Sequence, residues 1–169
     1  MTHLYNFTNH KYSHLQDTDS YKNKKSKSVK NNILYQNTLI IDPQHGLSNR
    51  LRAIASAYSI SKCINKQLII NWKPDHHCDC DFNDLFINPF LINNLSIDFS
   101  NIDFKTYNYM ELEKNSKKDE YIDTNYDIIY VKSNCVLNNK FSRKYFNEFL
   151  QNLEPVQEIK DLLKPFNTY

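Results

Sequence analysis

Hydrophobic and polar residues alternate in blocks along the chain, and the blocks between residues 38 and 72 predict a strand, a helix and a second strand. Residues 38–41 form a short apolar run followed by Asp42 and Pro43, which is typical of a buried strand that ends in a turn. From residue 47 to residue 64, apolar side chains recur every three or four positions, which indicates an amphipathic helix of about four turns. A second apolar run covers residues 67–72. Such a strand–helix–strand unit predicts two parallel, neighbouring strands.

The remaining pattern continues this alternation of strands and helices. We expect a short helix or turn at 81–90, a short strand at 96–99, an exposed loop or frayed helix at 111–125, and a strand at 127–133. Two helices close the chain, one at 142–153 capped by Ser142 and one at 154–166 with Pro155 in its first turn. The prediction for residues 37–169 is therefore an α/β, Rossmann-like three-layer unit with about four parallel strands.

Residues 1–36 have a different character. They are polar and carry six lysines against two aspartates, a net charge of +4 that leaves −2 for the rest of the chain. Such a segment buries too little apolar surface to offset the entropy of ordering, so we predict a disordered, solvated tail. The alternative is an electrostatic arm for nucleic acid or acidic lipid, carried by the lysines between residues 22 and 30.

Composition and charge exclude several classes of protein. A hydrophobic content of 40% excludes a wholly disordered chain, and a net charge of +2 over 169 residues excludes a polycation that coats nucleic acid. The single glycine excludes glycine-rich phosphate loops, and the wealth of Asn, Ile, Lys and Tyr indicates an AT-rich genome. Since neither a signal peptide nor an 18-residue apolar run is visible, we expect a cytoplasmic chain without a membrane span, whose four cysteines are reduced.

The single glycine, Gly46, lies between the first strand and its helix. In open α/β sheets, ligands bind where such loops lead into helix N-termini, and a glycine there permits positive φ or close approach to a ligand. The alternative is a plain tight turn. Asn49, three residues on, offers a donor and an acceptor for a sugar hydroxyl or a phosphate, although it or Ser48 would also serve as the helix N-cap.

Two arginines, Arg50 and Arg52, fall in the first turns of the same helix. The helix dipole disfavours cations there by a few tenths to about 1 kcal/mol, so their presence favours an anionic ligand such as a phosphate. The alternative is internal pairing, with Asp79, Asp81 or Asp84 as the partner.

Residues 75–81, with the sequence DHHCDCD, have the composition of a soft-metal site. Their spacing provides one C-x-C and no second ligand pair, so we favour a loop with a buried cysteine and surface histidines, and expect no metal.

The motifs of this region resemble a known superfamily of glycosyltransferases. Residues 46–57 (GLSNRLRAIASA), residues 68–72 (LIINW), and Asp75, Cys78 and residues 82–86 (FNDLF) stand in register with G-x-x-N-[RQ] and W-x-x-[DN]-x-x-C-x-x-x-F-x-D-L-F. These motifs are similar to the N-terminal half of the α-1,6-, nodulation and protein O-fucosyltransferases. The resemblance covers residues 38–90 well and residues 126–166 loosely.

The resemblance implies one half of a GT-B-like enzyme, with a sugar nucleotide, GDP-fucose in particular, bound in the cleft between two Rossmann-like halves. It implies that His45, Gly46, Asn49 and Arg52 line the site of the donor or the acceptor. It also implies that Arg50 stabilises the departing diphosphate, and that neither a metal nor another cofactor is needed.

One departure from the superfamily is large. There, a helix like residues 154–166 leads into an H-x-R strand and a nucleotide-binding half, whereas this sequence ends at Tyr169. We therefore expect a truncated or split fucosyltransferase-like enzyme, active only with a complementary C-terminal chain. The alternatives are a non-catalytic module or remnant that binds a partner or a second copy, and a nucleic-acid accessory factor that uses the lysine-rich tail.

Overall fold

A computed structural model describes residues 37–87, 91–92, 104–111, 113–114, 116–118 and 120–166. The predicted tail at 1–36 and the predicted strand at 96–99 lie outside these residues. The strands are β1 (Thr38–Pro43), β2 (Gln67–Ile70), β3 (Phe86–Ile87), β4 (Leu91–Ile92), β5 (Lys105–Asn108), β6 (Ile128–Ser133) and β7 (Glu154–Pro155). The helices are α1 (Leu47–Ile64), α2 (Phe82–Leu85), α3 (Phe146–Gln151) and α4 (Gln157–Leu163), and a 3-10 turn follows at Lys164–Phe166.

Five strands form one parallel sheet in the order β4-β2-β1-β6-β5. β1 lies at its centre, where Thr38 is in register with Gln67 of β2 on one side and with Ile128 of β6 on the other. The predicted α/β, Rossmann-like unit with a parallel sheet is confirmed. The pattern did not predict β5, whose sequence KTYN has few apolar residues.

Side chains of the central strands alternate between the two faces of the sheet, as the two-residue period of a strand requires. On one face, Leu39 and Ile41 pack with the buried residues of α1, among them Ala53 and Ala57. On the other face, Ile40 packs with the strand residues Ile69 and Ile128 and with the half-buried Phe104 and Tyr130. The small alanines let α1 lie close to the sheet, and α3 packs against α1 in turn.

The helix predicted at 142–153 begins four residues later than expected. Ser142 does not cap it: its buried hydroxyl donates to the carbonyl of Leu137 at 2.6 Å. Residues 140–144 form turns, and the backbone N–H of Tyr145 donates to the hydroxyl of Ser59 at 2.8 Å. Tertiary hydrogen bonds to α1 and to the preceding loop thus replace the first helical turn.

The helix predicted at 154–166 is also shorter than expected. Glu154 and Pro155 pair with β3 as an antiparallel strand, so α4 begins only at Gln157. None of the residues of α4 is buried. Within the described ranges, no helix has both the length and the apolar character of a membrane span.

Candidate functional site: a basic cleft at the carboxyl edge of the sheet

The carboxyl ends of β1 and β6 meet at the centre of the sheet. The backbone N–H of Gln44 donates to the carbonyl of Ser133 at 2.8 Å, and Nδ1 of His45 lies 3.0 Å from Nδ2 of Asn134. The strand order reverses between these two strands, since β2 and β4 lie on one side of β1 while β6 and β5 lie on the other. Open α/β sheets bind their ligands at such a switch point.

The β1–α1 loop reaches this point through His45 and Gly46. The left-handed conformation falls on His45, whose φ is 66°, and Gly46 has an ordinary extended backbone with φ −66° and ψ 163°. Of the two reasons considered for a glycine here, a positive φ is excluded, and close approach to a ligand stays a prediction. Among the described residues, a Cβ added to Gly46 would meet only the carbonyl oxygen of His77, at 3.8 Å, so there is room for a methyl group.

Gly46 is the N-cap of α1, and no side chain caps the helix. The alternative role considered for Asn49 or Ser48, that of the helix N-cap, is therefore excluded. Asn49 is instead held by its neighbour, because Nη2 of the exposed Arg52 donates to its side-chain oxygen, while Nε of Arg52 donates to the carbonyl of Ser48 at 3.2 Å. The structure thus brings Asn49 and Arg52 together.

Arg50 is fully buried beneath this loop. Its Nε donates to the carbonyl of His45 at 2.6 Å and its Nη1 to the carbonyl of Lys73 at 2.8 Å. Its Nη2 forms an ion pair with Asp75 and lies 2.8 Å from Oδ2, although the angle is not that of a hydrogen bond. Its guanidinium carbon lies 4.6 Å from the centre of the Trp72 ring. Arg50 therefore ties the β1–α1 loop to the segment after β2.

These contacts bear on both earlier interpretations of Arg50. Its internal partner is Asp75 rather than Asp79, Asp81 or Asp84. All three guanidinium nitrogens of Arg50 face protein groups in this structure. Direct contact between Arg50 and a ligand diphosphate therefore has no support from these contacts and stays a prediction. Although partial burial opposes the shift, the backbone N–H of His77 and the charge of Arg50 hold the pKa of Asp75 below its usual range.

A cleft of about 830 Å³ opens beside Asn49 and Arg52. Its other walls come from the chain after β6, from α3 and from the β5–β6 connection. It is lined by the amides of Asn49, Asn134 and Asn138, the cations Arg52, Lys118 and Arg143, and Cys135, Val136, Phe146 and Leu150. None of the described residues in this lining carries a carboxylate.

Two of the three cations in the lining have no carboxylate partner among the residues that the structure describes. Lys118 pairs with Glu111 at the rim, but neither Arg52 nor Arg143 pairs with a carboxylate of the described residues. Arg143 lies over Phe146, with its guanidinium carbon 5.1 Å from the ring centre. Two guanidinium groups, several amides and an apolar wall suit an anion that carries hydroxyl groups.

Sequence reasoning missed the second wall of the cleft. Asn134 directly follows the predicted strand 127–133, so the rule that ligands bind at carboxyl ends of strands would have found it. Arg143 and Phe146 gave no local signal, since they fall inside a stretch that the pattern assigns to one helix.

The loop at 75–80 contacts the β1–α1 loop through Arg50, which pairs with Asp75 and binds the carbonyl of His45. Asp75 and Cys78 are joined by two backbone hydrogen bonds of 3.2 and 3.0 Å, which leaves His76 and His77 exposed at the tip of a tight turn. The ring of His77 lies 5.1 Å from that of His45. Across the residues that the structure describes, no three His, Cys, Asp or Glu side chains are grouped as metal ligands. A metal-free site stays an expectation.

The fold and the cleft define a Rossmann-like α/β unit with a basic, amide-lined cleft at its switch point. No protein-family model matches the sequence, and no curated protein or solved structure is significantly similar to it. The resemblance to fucosyltransferases stays a hypothesis that rests on the motif residues.

Proposed function

We propose that this chain is the N-terminal Rossmann-like half of a fucosyltransferase-like glycosyltransferase that works in the cytoplasm. Its cleft binds a sugar nucleotide, with GDP-fucose as the first candidate, and transfer requires a complementary nucleotide-binding half. The observation that carries the proposal is the pair Arg52 and Arg143, which face one cleft at the switch point without a carboxylate partner among the described residues.

The lining suits the parts of such a ligand. The guanidinium forks of Arg52 and Arg143 match the oxygens of a diphosphate, and the amides of Asn49 and Asn134 match sugar hydroxyls. Val136, Phe146 and Leu150 provide an apolar wall for the less polar parts of a sugar. Gly46 has no side chain that would cover the N-terminus of α1, where backbone N–H groups suit an anion.

Arg50 has a positioning role in this proposal. It fixes the carbonyl of His45 and the turn at Asp75, and so sets the loop that presents Asn49. Direct contact between Arg50 and the diphosphate would require its guanidinium to leave Asp75, so Arg52 and Arg143 are the better candidates for the anion.

The reaction is a displacement at the anomeric carbon. The oxygen of an acceptor hydroxyl forms a bond to that carbon while the bond from the carbon to the diphosphate oxygen breaks. The nucleoside diphosphate leaves with the electron pair, and the hydroxyl proton passes to a base supplied by the completed enzyme. Cations that face the diphosphate stabilise the negative charge that develops on it.

Calorimetric titration with GDP-fucose tests the proposal, with GDP-mannose and UDP-glucose as competing donors. We expect binding that weakens at least tenfold in Arg52→Gln and in Arg143→Gln and that weakens with added salt. Lys164→Gln is the matched control, since that lysine is 72% exposed and pairs with Asp161 on α4, away from the cleft lining. A folded chain that binds none of the three nucleotides, or that binds equally well after both arginine substitutions, contradicts donor recognition by this half.

The second candidate function is a non-catalytic interaction module. It is favoured by the exposed apolar side chains of Leu162, Leu163 and Ile87, which are 69%, 46% and 53% exposed. Sedimentation at increasing concentration tests it: association that is lost in Leu162→Lys, without any nucleotide binding, supports the module. A monomer at all concentrations contradicts self-association.

A further inference from the structure

Two thiols lie side by side in the loop that supports Arg50. The sulfur atoms of Cys78 and Cys80 are 3.8 Å apart, and both side chains are half-buried. The other two cysteines are elsewhere, Cys63 in the last turn of α1 and Cys135 in the lining of the cleft. This C-x-C pair has no part in the proposed function.

The backbone around the two thiols carries the contacts that hold Arg50 in place. Cys78 closes the tight turn with Asp75, whose carboxylate pairs with Arg50. The carbonyl of Cys80 accepts a hydrogen bond of 2.8 Å from the indole N–H of Trp72, the ring on which Arg50 stacks. A change in the covalent state of the pair therefore acts on the support of the β1–α1 loop.

We propose that Cys78 and Cys80 form a reversible intramolecular disulfide, and that this bond is a redox modification site under the β1–α1 loop. The sulfur atoms are already in contact, and a disulfide needs them to close to about 2.05 Å. The proposal is independent of the ligand that the cleft binds.

The exchange reaction requires a disulfide co-reactant such as oxidised glutathione. The thiolate of Cys78 attacks one sulfur of that disulfide, which forms a mixed disulfide and releases one glutathione thiolate. Cys80 then loses its proton to solvent and attacks the sulfur of Cys78, which releases the second glutathione. The two protein thiols are oxidised, and the glutathione disulfide is reduced to two thiols.

The surroundings of Cys80 disfavour its thiolate. Burial and the hydrogen bond with Cys78 raise the pKa of the Cys80 thiol to about 11. A protonated Cys80 at neutral pH is consistent with its role here as the resolving thiol.

Thiol counting on the full chain tests the proposal. After incubation with oxidised glutathione, we expect the four free thiols to fall to two, and the peptide that spans Cys78 and Cys80 to be lighter by two hydrogens. The matched control is Cys63→Ser with Cys135→Ser, in which the thiol count should fall from two to zero without bound glutathione. In that background Cys80→Ser should keep glutathione on Cys78, since the resolving thiol is absent.

Three results would overturn the proposal: two thiols that remain free in the control variant, glutathione on both cysteines, or a disulfide that involves Cys63 or Cys135. Peptide mapping of the unsubstituted chain gives the same answer if a variant fails to fold. Trp72, the only tryptophan, provides a second readout. Its emission should change on oxidation and return on reduction in the control variant, and should stay constant in Cys78→Ser.

Discussion

Replacement of Arg50 by methionine removes the guanidinium while keeping a side chain of similar length. Two backbone carbonyls, those of His45 and Lys73, lose donors at 2.6 and 2.8 Å. Asp75 loses its cation at 2.8 Å. Breaking a buried ion pair costs about 3–5 kcal/mol of unfolding free energy. We expect the lower end of that range, since the Asp75 side chain is 32% exposed and water replaces part of the lost interaction.

Urea unfolding followed by far-UV circular dichroism measures this loss. A domain is stable by about 5–15 kcal/mol in total, so a loss of about 3 kcal/mol shifts the midpoint far outside experimental scatter. Arg50→Lys should lose less, because it keeps the charge but cannot reach all three acceptors with a rigid fork. Arg52→Gln, on the exposed side of the same helix, should change stability by no more than about 0.5 kcal/mol. If Arg50→Met costs under about 1 kcal/mol, the network does not hold the loop, and the reasoning is refuted.

Three further predictions follow from the same region. Gly46→Ala should lower stability by less than about 1 kcal/mol, because its φ is ordinary and its Cβ meets only an atom at 3.8 Å; loss of the folded state on thermal melting would contradict this. His45 has a φ of 66°, so His45→Gly should be neutral or stabilising by up to about 1 kcal/mol, whereas His45→Val should be destabilising. A higher melting temperature for His45→Val than for His45→Gly would refute the left-handed conformation. The folded-state pKa of Asp75 lies below its unfolded value, so its contribution to the free energy of unfolding is present above about pH 4 and is lost as the pH falls through the folded-state pKa. Asp75→Asn should therefore make stability depend less on pH in the acid range. An unchanged dependence contradicts the ion pair.

The centre of the fold was predictable because its signals are local and periodic. The run at residues 38–41 and the apolar spacing of residues 47–64 each bury one continuous face, so the pattern records the contact. The element α1 is found with the predicted bounds, and the parallel β1–β2 pair follows from it.

The predictions that were wrong failed because contacts between separate segments decide the local structure. Ser142 looks like a helix cap in sequence, but its hydroxyl is used by Leu137, and Pro155 looks like a first-turn residue but pairs with Phe86 in a strand. The positive φ falls on His45 rather than on the glycine, in a loop where Arg50 holds the carbonyl of His45. The single-sequence pattern contains none of these contacts between segments that are distant along the chain.

Only one wall of the candidate site could be predicted from the sequence, because the other wall depends on a contact between distant segments. Asn49 and Arg52 belong to the motif that follows β1, so they stood out in the sequence. Their counterpart Arg143 reaches the cleft only because β6 lies next to β1, and a pairing between segments about 90 positions apart has no local signature.

The central position of β1 also has a consequence for synthesis on the ribosome. Thr38 acquires its partner Ile128 only after the intervening 89 residues have been translated. At about 5–20 residues per second, this leaves one edge of an apolar strand unsatisfied for roughly five to twenty seconds. The nascent chain therefore passes through a stage at which α1 already packs on one face of β1 and β2 pairs with one of its edges. The other edge of β1 can then pair with a strand of another protein. Chaperone dependence of folding should be greatest at chain lengths just short of β6, and should drop once that strand has left the exit tunnel.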